Sequence, residues 1–361
     1  EWLRQGAADD AADIASPIGL ELLPRLSVLR GGGETQQMVV MARYSDGSDR
    51  DVTALSAFLS SDAGVARVSE DGVTQSDRRG EAQITARFAT FVVGANVMVL
   101  PASASQPEFP VAPRNWVDEP IFDKLRRLRI APSPLCDDAT FVRRAYIDVI
   151  GGLPRPAELD AFTADTHADK RARLIDELLQ RREFTELWVM KWSELLQIRT
   201  DENRKVSYKA MLRYADWLAD RIARNVRIDR IVHDLIASSG GTFQNPATNF
   251  YQVEQDPLKL AENTAQVMLG MRIQCAQCHN HPFDRWTMDD YYGFAAFFAQ
   301  IGRKAAQDPR EAIIFDARSG ATQHPVSKAE VVPKFLGGAV PDLAGRDRRE
   351  VLADWLTSPD N

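Results

Sequence analysis

The hydrophobic pattern of this chain changes its period near residue 116, and this change most strongly constrains the fold. Before it, short runs such as Ala82–Phe88 alternate apolar and polar residues, and turn signals such as Ser45–Ser48 separate them. After it, apolar residues recur at helical spacing, as Met211, Tyr214 and Leu218 do. The sequence therefore predicts a multidomain chain, with an N-terminal all-β sandwich followed by a mainly α-helical domain.

Shifts in composition divide the chain further. Pro and Ser are dense over residues 101–116, which is typical of a semi-extended linker. We expect the β-sandwich over residues 17–100, the helical domain over 117–302, a loop-rich connector over 303–338 and the start of a following domain over 339–361. Residues 1–10 look like a short helical segment, and the abrupt ends suggest a piece of a longer protein.

Charge and composition argue against several classes of function. The formal net charge of −7 disfavours a nucleic-acid-binding protein. No apolar run reaches the ~18 residues that a membrane-spanning helix needs, so no transmembrane segment is predicted. With 3 cysteines in the chain, a disulfide scaffold is not expected, and we interpret Cys136 as a small buried hydrophobe.

The most informative motif is Cys275-Ala-Gln-Cys278-His279. C-x-x-C-H is the attachment signature of a c-type haem, in which two thioether bonds hold the porphyrin and the histidine ligates the iron. On a helix, Cys278 lies one turn from Cys275, and so does His279, so the three side chains can face one edge of a planar macrocycle. The motif therefore predicts haem c bound covalently at Cys275 and Cys278, with His279 as the proximal ligand.

Asp256 and Pro257 are expected to open the helix that carries the motif, and Pro282 is expected to limit it. The motif should then lie in the last turn of that helix. The next helix should begin at Thr287 as N-cap and continue to Gln300.

Other interpretations of the same residues stay open. The two cysteines could form a disulfide, or they could bind zinc with His279 and His281, although four ligands within seven residues would be unusually tight. The chain has no second C-x-x-C pair that could complete a zinc ribbon. The site could also bind nothing.

Further residues could support a haem. His281, Asp284 and Arg285 follow the motif and could surround it, with the last two orienting a histidine or pairing with a haem propionate. His281 itself is a poor ligand on the opposite face, so the distal ligand must come from another element. The candidates for that position are His233, His324, Met190 and Met211.

The helix after the motif is rich in aromatic residues. Tyr291, Phe294 and Phe298 share one of its faces. That face could pack against a porphyrin or could equally belong to the protein core.

Several stretches of the predicted sandwich share their pattern with a known family: Tyr44–Thr53, Ser60–Val68, Asp71–Val73 and Gly80–Ala86. They resemble a bacterial Ig-like domain of group 2, which implies a spacer or adhesion module. Its loop carboxylates Asp46, Asp49 and Asp51 could bind calcium or could act as solvated turn residues.

A second resemblance covers roughly residues 117 to 302. It rests on Cys275–Phe298, Phe141–Asp148, Gly152–Pro156 and Ala247–Tyr251, which resemble the planctomycete cytochrome-like proteins. This resemblance implies a large exported multidomain protein, in which residues 1–10 would be the tail of a preceding cytochrome c-like domain. It also implies that C-x-x-C-H is a designed feature of the family.

Three functions are compatible with these observations. The first is an exported c-type haem protein, periplasmic or on the cell surface, which exchanges electrons with other domains of a longer polypeptide or with redox partner proteins. The second is a non-haem interaction or adhesion protein whose C-x-x-C-H is a zinc or disulfide staple. The third is a haem-dependent oxidoreductase that acts on an extracellular substrate such as a carbohydrate. A hydrolase or transferase is not indicated.

Overall fold

The structure is a computed structural model that describes residues 14–102, 108–109, 112–203, 206–281 and 284–360. The chain divides into two compact units. We call Glu1–Leu135 with Pro282–Arg285 the β unit, and Cys136–His281 with Trp286–Asn361 the helical unit. The predicted domain tail at residues 1–10, and residues 103–107 and 110–111 of the predicted linker, lie outside the described residues.

The β unit is rich in strands, as the alternating pattern predicts. The strands are β1 (Pro17–Leu23), β2 (Leu26–Arg30), β3 (Thr35–Gln37), β4 (Val39–Tyr44), β5 (Asp49–Asp51), β6 (Ala57–Ser60), β7 (Ala66–Val68), β8 (Val73–Ser76), β9 (Gly80–Phe88) and β10 (Phe91–Leu100). They pair into sheets with the orders β1-β4-β5, β2-β10-β9-β6 and β3-β8-β7. Strand β2 lies parallel to β10, and the other pairs are antiparallel.

One hydrophobic cluster joins these sheets into a sandwich. Leu22 and Val40 come from the first sheet, and Ile84 and Val97 come from the second; all four are at most 2% exposed. Buried residues alternate with more exposed ones along β4 and β9, so one face of each of these strands is buried in the cluster. The turn at Gly72 has φ of +77°, and a Cβ there would lie 2.9 Å from the Met38 carbonyl oxygen, so the position favours glycine.

The first helix, α1 (Asp118–Arg127), also belongs to the β unit. Lys124 Nζ lies 2.6 Å from a carboxylate oxygen of Glu81, and the Arg79 guanidinium donates to the Leu128 carbonyl at 3.0 Å. The division between the units therefore falls after residue 135, whereas the sequence pattern alone places the start of the helical domain at residue 117.

The helical unit contains the remaining elements. The helices are α2 (Asp138–Ile150), α3 (Pro156–Ala164), α4 (Lys170–Leu179), α5 (Arg182–Leu195), α6 (Tyr208–Ala223), α7 (Ile228–Ile236), α8 (Asn249–Val253), α9 (Pro257–Leu269), α10 (Met288–Ala295) and α11 (Arg348–Leu356). The strands are β11 (Gly240–Gly241), β12 (Ile301–Ala305), β13 (Ala312–Asp316), β14 (Thr322–Gln323) and β15 (Glu330–Val331). Among the described residues, no helix is both long and apolar enough to span a bilayer.

Local capping signals explain where many of these helices begin. Asp137 accepts a hydrogen bond from the Thr140 N–H at 2.8 Å, and Asp256 accepts one from the Leu258 N–H at 2.9 Å. Thr287 and Asp290 form the predicted capping box of α10. The helix that was expected to continue to Gln300 instead ends at Ala295 and passes into a 3₁₀ turn at Ala296–Phe298.

A large hydrophobic cluster forms the core of the helical unit, and it includes Tyr214, Tyr251, Leu260 and Phe294, each fully buried. A smaller cluster lies between α2, α3 and α4. The helical unit also takes in residues 303–338 and 339–361, which the sequence pattern set apart as a connector and the start of a following domain. Leu352 from the second of these segments is 0% exposed within the large cluster.

The chain from β12 onward also contributes aromatic packing. Phe335 stacks on Trp355 with ring centroids 4.7 Å apart and on Phe297 at 5.3 Å. Offset stacking of this kind stabilises a core beyond simple burial of area. These residues are therefore part of the folded unit that carries the motif.

Candidate functional site

The sequence pattern predicted that the C-x-x-C-H motif lies in the last turn of α9. The structure places it after the end of that helix. Helix α9 ends at Leu269, and Gly270 follows it in the left-handed conformation with φ of +69°. The Met271 N–H then bonds the Ala265 carbonyl at 3.0 Å, which closes the helix end. The prediction was wrong because it placed the helix stop at Pro282 and overlooked the C-cap at Gly270.

The motif occupies a separate 3₁₀ turn, Gln274–Gln277, with Cys278 as its C-cap. Ile273 and Ala276 are 0% exposed and anchor this turn in the core, whereas Cys275 and Cys278 are exposed free thiols. Side chains at positions i and i+3 of a 3₁₀ turn lie on the same side. Cys275 lies within this turn and Cys278 is its C-cap, so the two thiols are about one turn of backbone apart.

His279 is exposed, and its ring is held by a backbone group. Its Nδ1 lies 2.8 Å from the carbonyl oxygen of Asn280. A carbonyl can only accept, so Nδ1 must carry the proton, and the lone pair of the neutral ring is then on Nε2. A second nitrogen bonded to a backbone carbonyl is the usual arrangement of a metal-ligating histidine.

A short loop follows the motif. The His281 N–H donates to the Trp286 carbonyl at 2.7 Å and closes the loop, and Trp286 is 3% exposed. Asp284 and Arg285 group with the β unit, and the Arg285 N–H donates to the Asp284 carboxylate at 2.7 Å. Their role beside a histidine or a haem propionate stays a prediction.

Helix α10 contacts the motif turn through Tyr292. The Tyr292 hydroxyl donates to the Gln277 carbonyl at 3.0 Å, and the Asn280 Oδ1 accepts from the Met288 N–H at 3.2 Å. Burial raises the pKa of Tyr292 above its usual value, and the nearby Cys278 thiol adds to this. Tyr292 therefore stays a protonated donor at neutral pH.

The aromatic face of α10 is core. Tyr291, Phe294 and Phe298 are each at most 1% exposed and belong to the large cluster, so they do not present a free surface to a porphyrin. The Tyr291 hydroxyl donates to Glu262 at 2.8 Å, and Lys259 Nζ lies 2.9 Å from the same carboxylate. Burial and the Glu262 carboxylate raise the pKa of Tyr291 well above its usual value.

Sequence reasoning missed this buried Glu262–Tyr291 pair and also missed Tyr292 as a contact of the motif. The available signal was a single acidic residue within α9. Its partner lies 29 positions further along the chain, and no local pattern reports such a separation.

The candidate distal ligands are spread over the helical unit. His233 Nε2 lies 3.1 Å from Asp354, Met190 is 57% exposed on α5, and Met211 is half-buried on α6. His324 is linked to the motif turn through Tyr292, because its ring packs edge-on against the Tyr292 ring with centroids 5.6 Å apart.

Within the described ranges, no group of three or more His, Cys, Asp or Glu side chains is placed to hold a metal ion. The loop aspartates of the β unit make turn and ion-pair contacts instead. Asp46 accepts from the Ser48 N–H at 2.9 Å and from Arg50, and Asp51 accepts from the Thr53 N–H at 2.9 Å. Turn chemistry accounts for these contacts.

The chain thus consists of a sheet-rich unit followed by a helical unit that presents an exposed C-x-x-C-H turn. A family model described as PSCyt2, a protein of unknown function (DUF1549), matches residues 116–303, which is more than half of the chain. The protein therefore belongs to this family. No curated protein matches the chain.

Proposed function

We propose that the protein is a c-type haem protein that transfers electrons outside the cytoplasm, in the manner implied by its resemblance to the planctomycete cytochrome-like proteins. The observation that carries the proposal is the state of His279. Its Nδ1 is engaged by the Asn280 carbonyl at 2.8 Å, which leaves Nε2 with a lone pair on an exposed ring. The two free thiols of Cys275 and Cys278 lie in the same turn.

These residues fit a haem. Cys275 and Cys278 would anchor it through thioether bonds, and His279 would ligate the iron through Nε2. Bound haem would supply a one-electron iron couple. The Asn280 carbonyl orients the imidazole and makes its Nε2 a more basic ligand. The buried Ile273 and Ala276 hold the turn to the core.

Covalent haem attachment supports a location outside the cytoplasm. The sheet-rich unit resembles an Ig-like domain, which suits a spacer between modules of an exported protein. We therefore expect electrons to be exchanged with other domains of a longer polypeptide or with separate redox proteins. The exposure of the motif supports such an exchange, since a partner can approach it closely.

The test is the intact mass and the UV–visible spectrum of protein made in a host that attaches haem c. We expect a mass gain of one haem and a Soret band. Cys275→Ala should lower both the fraction of protein with the added mass and the intensity of the band. Cys136→Ala is the matched control, because Cys136 lies outside the motif and is half-buried. It should leave mass and spectrum unchanged.

The spectrum also separates the competing functions. A low-spin reduced spectrum supports electron transfer, whereas a shift on adding carbon monoxide would favour an open iron and an oxidoreductase. An unmodified mass without a Soret band would overturn both haem functions. The motif would then be better explained as a zinc or disulfide staple of an interaction protein.

A further inference from the structure

The side chain of Tyr292 reaches from α10 to the motif turn. Its hydroxyl bonds the carbonyl of Gln277, which is the residue immediately before Cys278. The residue is 7% exposed, so water competes little for this bond. The Asn280–Met288 bond ties the other side of the turn to the start of the same helix.

The ring of Tyr292 is itself fixed from two sides. Tyr291 packs against it edge-on with centroids 5.1 Å apart, and His324 does the same at 5.6 Å. Tyr291 is in turn held by the buried carboxylate of Glu262. The hydroxyl of Tyr292 therefore has little freedom to move away from the turn. Through this hydroxyl, packing in the core helps to fix the position of the motif.

We propose that Tyr292 is a positioning residue for the C-x-x-C-H turn, so that the conformation of the turn, and with it the reduction potential of a haem bound there, depends on the Tyr292 hydroxyl. The second half of this proposal rests on the proposed haem function. The first half does not, because the hydrogen bond is made by the polypeptide alone.

The physical argument is one of preorganisation. Short 3₁₀ turns have poor internal hydrogen-bond geometry, and the Cys278 N–H bonds the Cys275 carbonyl at 3.4 Å. Such a turn needs external contacts to hold one conformation. Ligand groups act best when their own rotamers and backbone are fixed by a supporting layer, and Tyr292 supplies such a contact from α10.

The first experiment is amide hydrogen exchange over residues 273–281 in the full chain without haem. Tyr292→Phe removes the hydroxyl and keeps the ring, so we expect exchange in this segment to be about two- to tenfold faster, the factor given by loss of one hydrogen bond. Exchange in α2–α4 should not change. Tyr208→Phe is the matched control, since Tyr208 is 66% exposed on α6.

Asn280→Ala gives an independent check, because it removes the other tie to α10 and should also speed exchange in the turn. The second readout is the midpoint potential of the haem-loaded protein, which should be displaced in Tyr292→Phe and remain at the wild-type value in Tyr208→Phe. Unchanged exchange of the turn in Tyr292→Phe, or an unchanged potential, would overturn the proposal. If no haem is attached at all, the proposed function fails while the exchange result still decides the role of Tyr292.

Discussion

His279 and His324 are both held by backbone groups, but their Nδ1 atoms have opposite roles. In His279, Nδ1 donates to a carbonyl. In His324, Nδ1 lies 3.3 Å from the N–H groups of Val326 and of Ser327, so it accepts. The proton of neutral His324 is then on Nε2, which lies 3.5 Å from Asp289. The sequence predicts His279 as the proximal ligand and His324 as one of the distal candidates, and both stay predictions.

This difference predicts unequal effects of two substitutions in the haem-loaded protein. His279→Ala should abolish the low-spin spectrum, since it removes the imidazole whose Nε2 keeps a lone pair. His324→Gln should retain that spectrum, because the Nδ1 of His324 accepts from backbone N–H groups, which leaves the proton of the neutral ring on its Nε2. UV–visible spectroscopy of the two variants checks this, and loss of the low-spin bands in His324→Gln would contradict the prediction and identify His324 as the distal ligand.

A second prediction at this scale concerns pH. Glu158 accepts hydrogen bonds from the Arg155 and Arg181 guanidinium groups at 3.0 and 2.8 Å, and chiefly the Arg155 side chain lowers the pKa of Glu158 to about 2. A lowered pKa means that Glu158 stabilises the fold fully above its ordinary pKa of 4.5, and that this stability is lost as the pH falls towards 2.

Thermal unfolding of the wild type and of Glu158→Gln should therefore differ most at neutral pH and converge near pH 2. Glu183→Gln changes an exposed glutamate in the first turn of α5; it serves as the matched control and should follow the wild-type curve. A difference between Glu158→Gln and wild type that stays constant from pH 7 to pH 2 would contradict the assignment.

At the scale of elements, the C-terminal end of α9 decides where the motif lies. Glycine at Gly270 adopts φ of +69°, and its chain neighbour Met271 closes the helix end, so the motif is free to form its own turn. A Cβ at Gly270 would meet nothing within 4 Å. Any cost of an alanine there must therefore come from the backbone conformation and not from a clash.

Gly270→Ala should lower the free energy of unfolding by about 1 kcal/mol, because a side chain disfavours the left-handed region. Gly152→Ala is a matched control, since a Cβ at Gly152 also meets nothing within 4 Å and its φ is not in that region. It should be neutral or slightly stabilising. Chemical denaturation measures both, and equal effects would show that the conformation of Gly270 is not what matters.

At this scale, signals from neighbouring residues predicted where helices begin. Features that depend on residues far apart in the sequence could not be predicted. The helix starts at Asp256 and Thr287 follow from neighbouring residues, and the structure confirms them. The face of Tyr291 and Phe294 could not be assigned from its period, because a core stripe and a cofactor-binding stripe have the same spacing. Burial of that face depends on elements far away in the sequence.

At the scale of the whole molecule, α11 is bound into the helical unit by a buried arginine. Arg349 is 1% exposed, its Nη1 donates to the Ser238 carbonyl at 2.7 Å, and its Nη2 lies 2.6 Å from Asp347. Its guanidinium also lies over the ring of Tyr251, 5.1 Å from the centroid. Two of these partners lie about a hundred positions earlier, so the sequence pattern of α11 alone could not reveal them.

Arg349→Met should destabilise the helical unit by about 3–5 kcal/mol, because it leaves a largely buried Asp347 without its cation. Arg346→Met is the matched control: Arg346 pairs with Asp354, but its side chain is 48% exposed, so the loss of stability should be much smaller. Urea denaturation followed by circular dichroism compares the two. Similar losses would show that burial does not set the value of these ion pairs.

The aromatic stack of Phe297, Phe335 and Trp355 has a practical consequence for recombinant work on this family. A clone that stops at residue 303, where the family match ends, would encode the motif but omit two of the three stacked rings. It would also leave Phe297 and its neighbours without the cover that Leu336 and Leu352 provide within the same cluster. Such a product should precipitate, whereas one that continues through α11 should stay in solution.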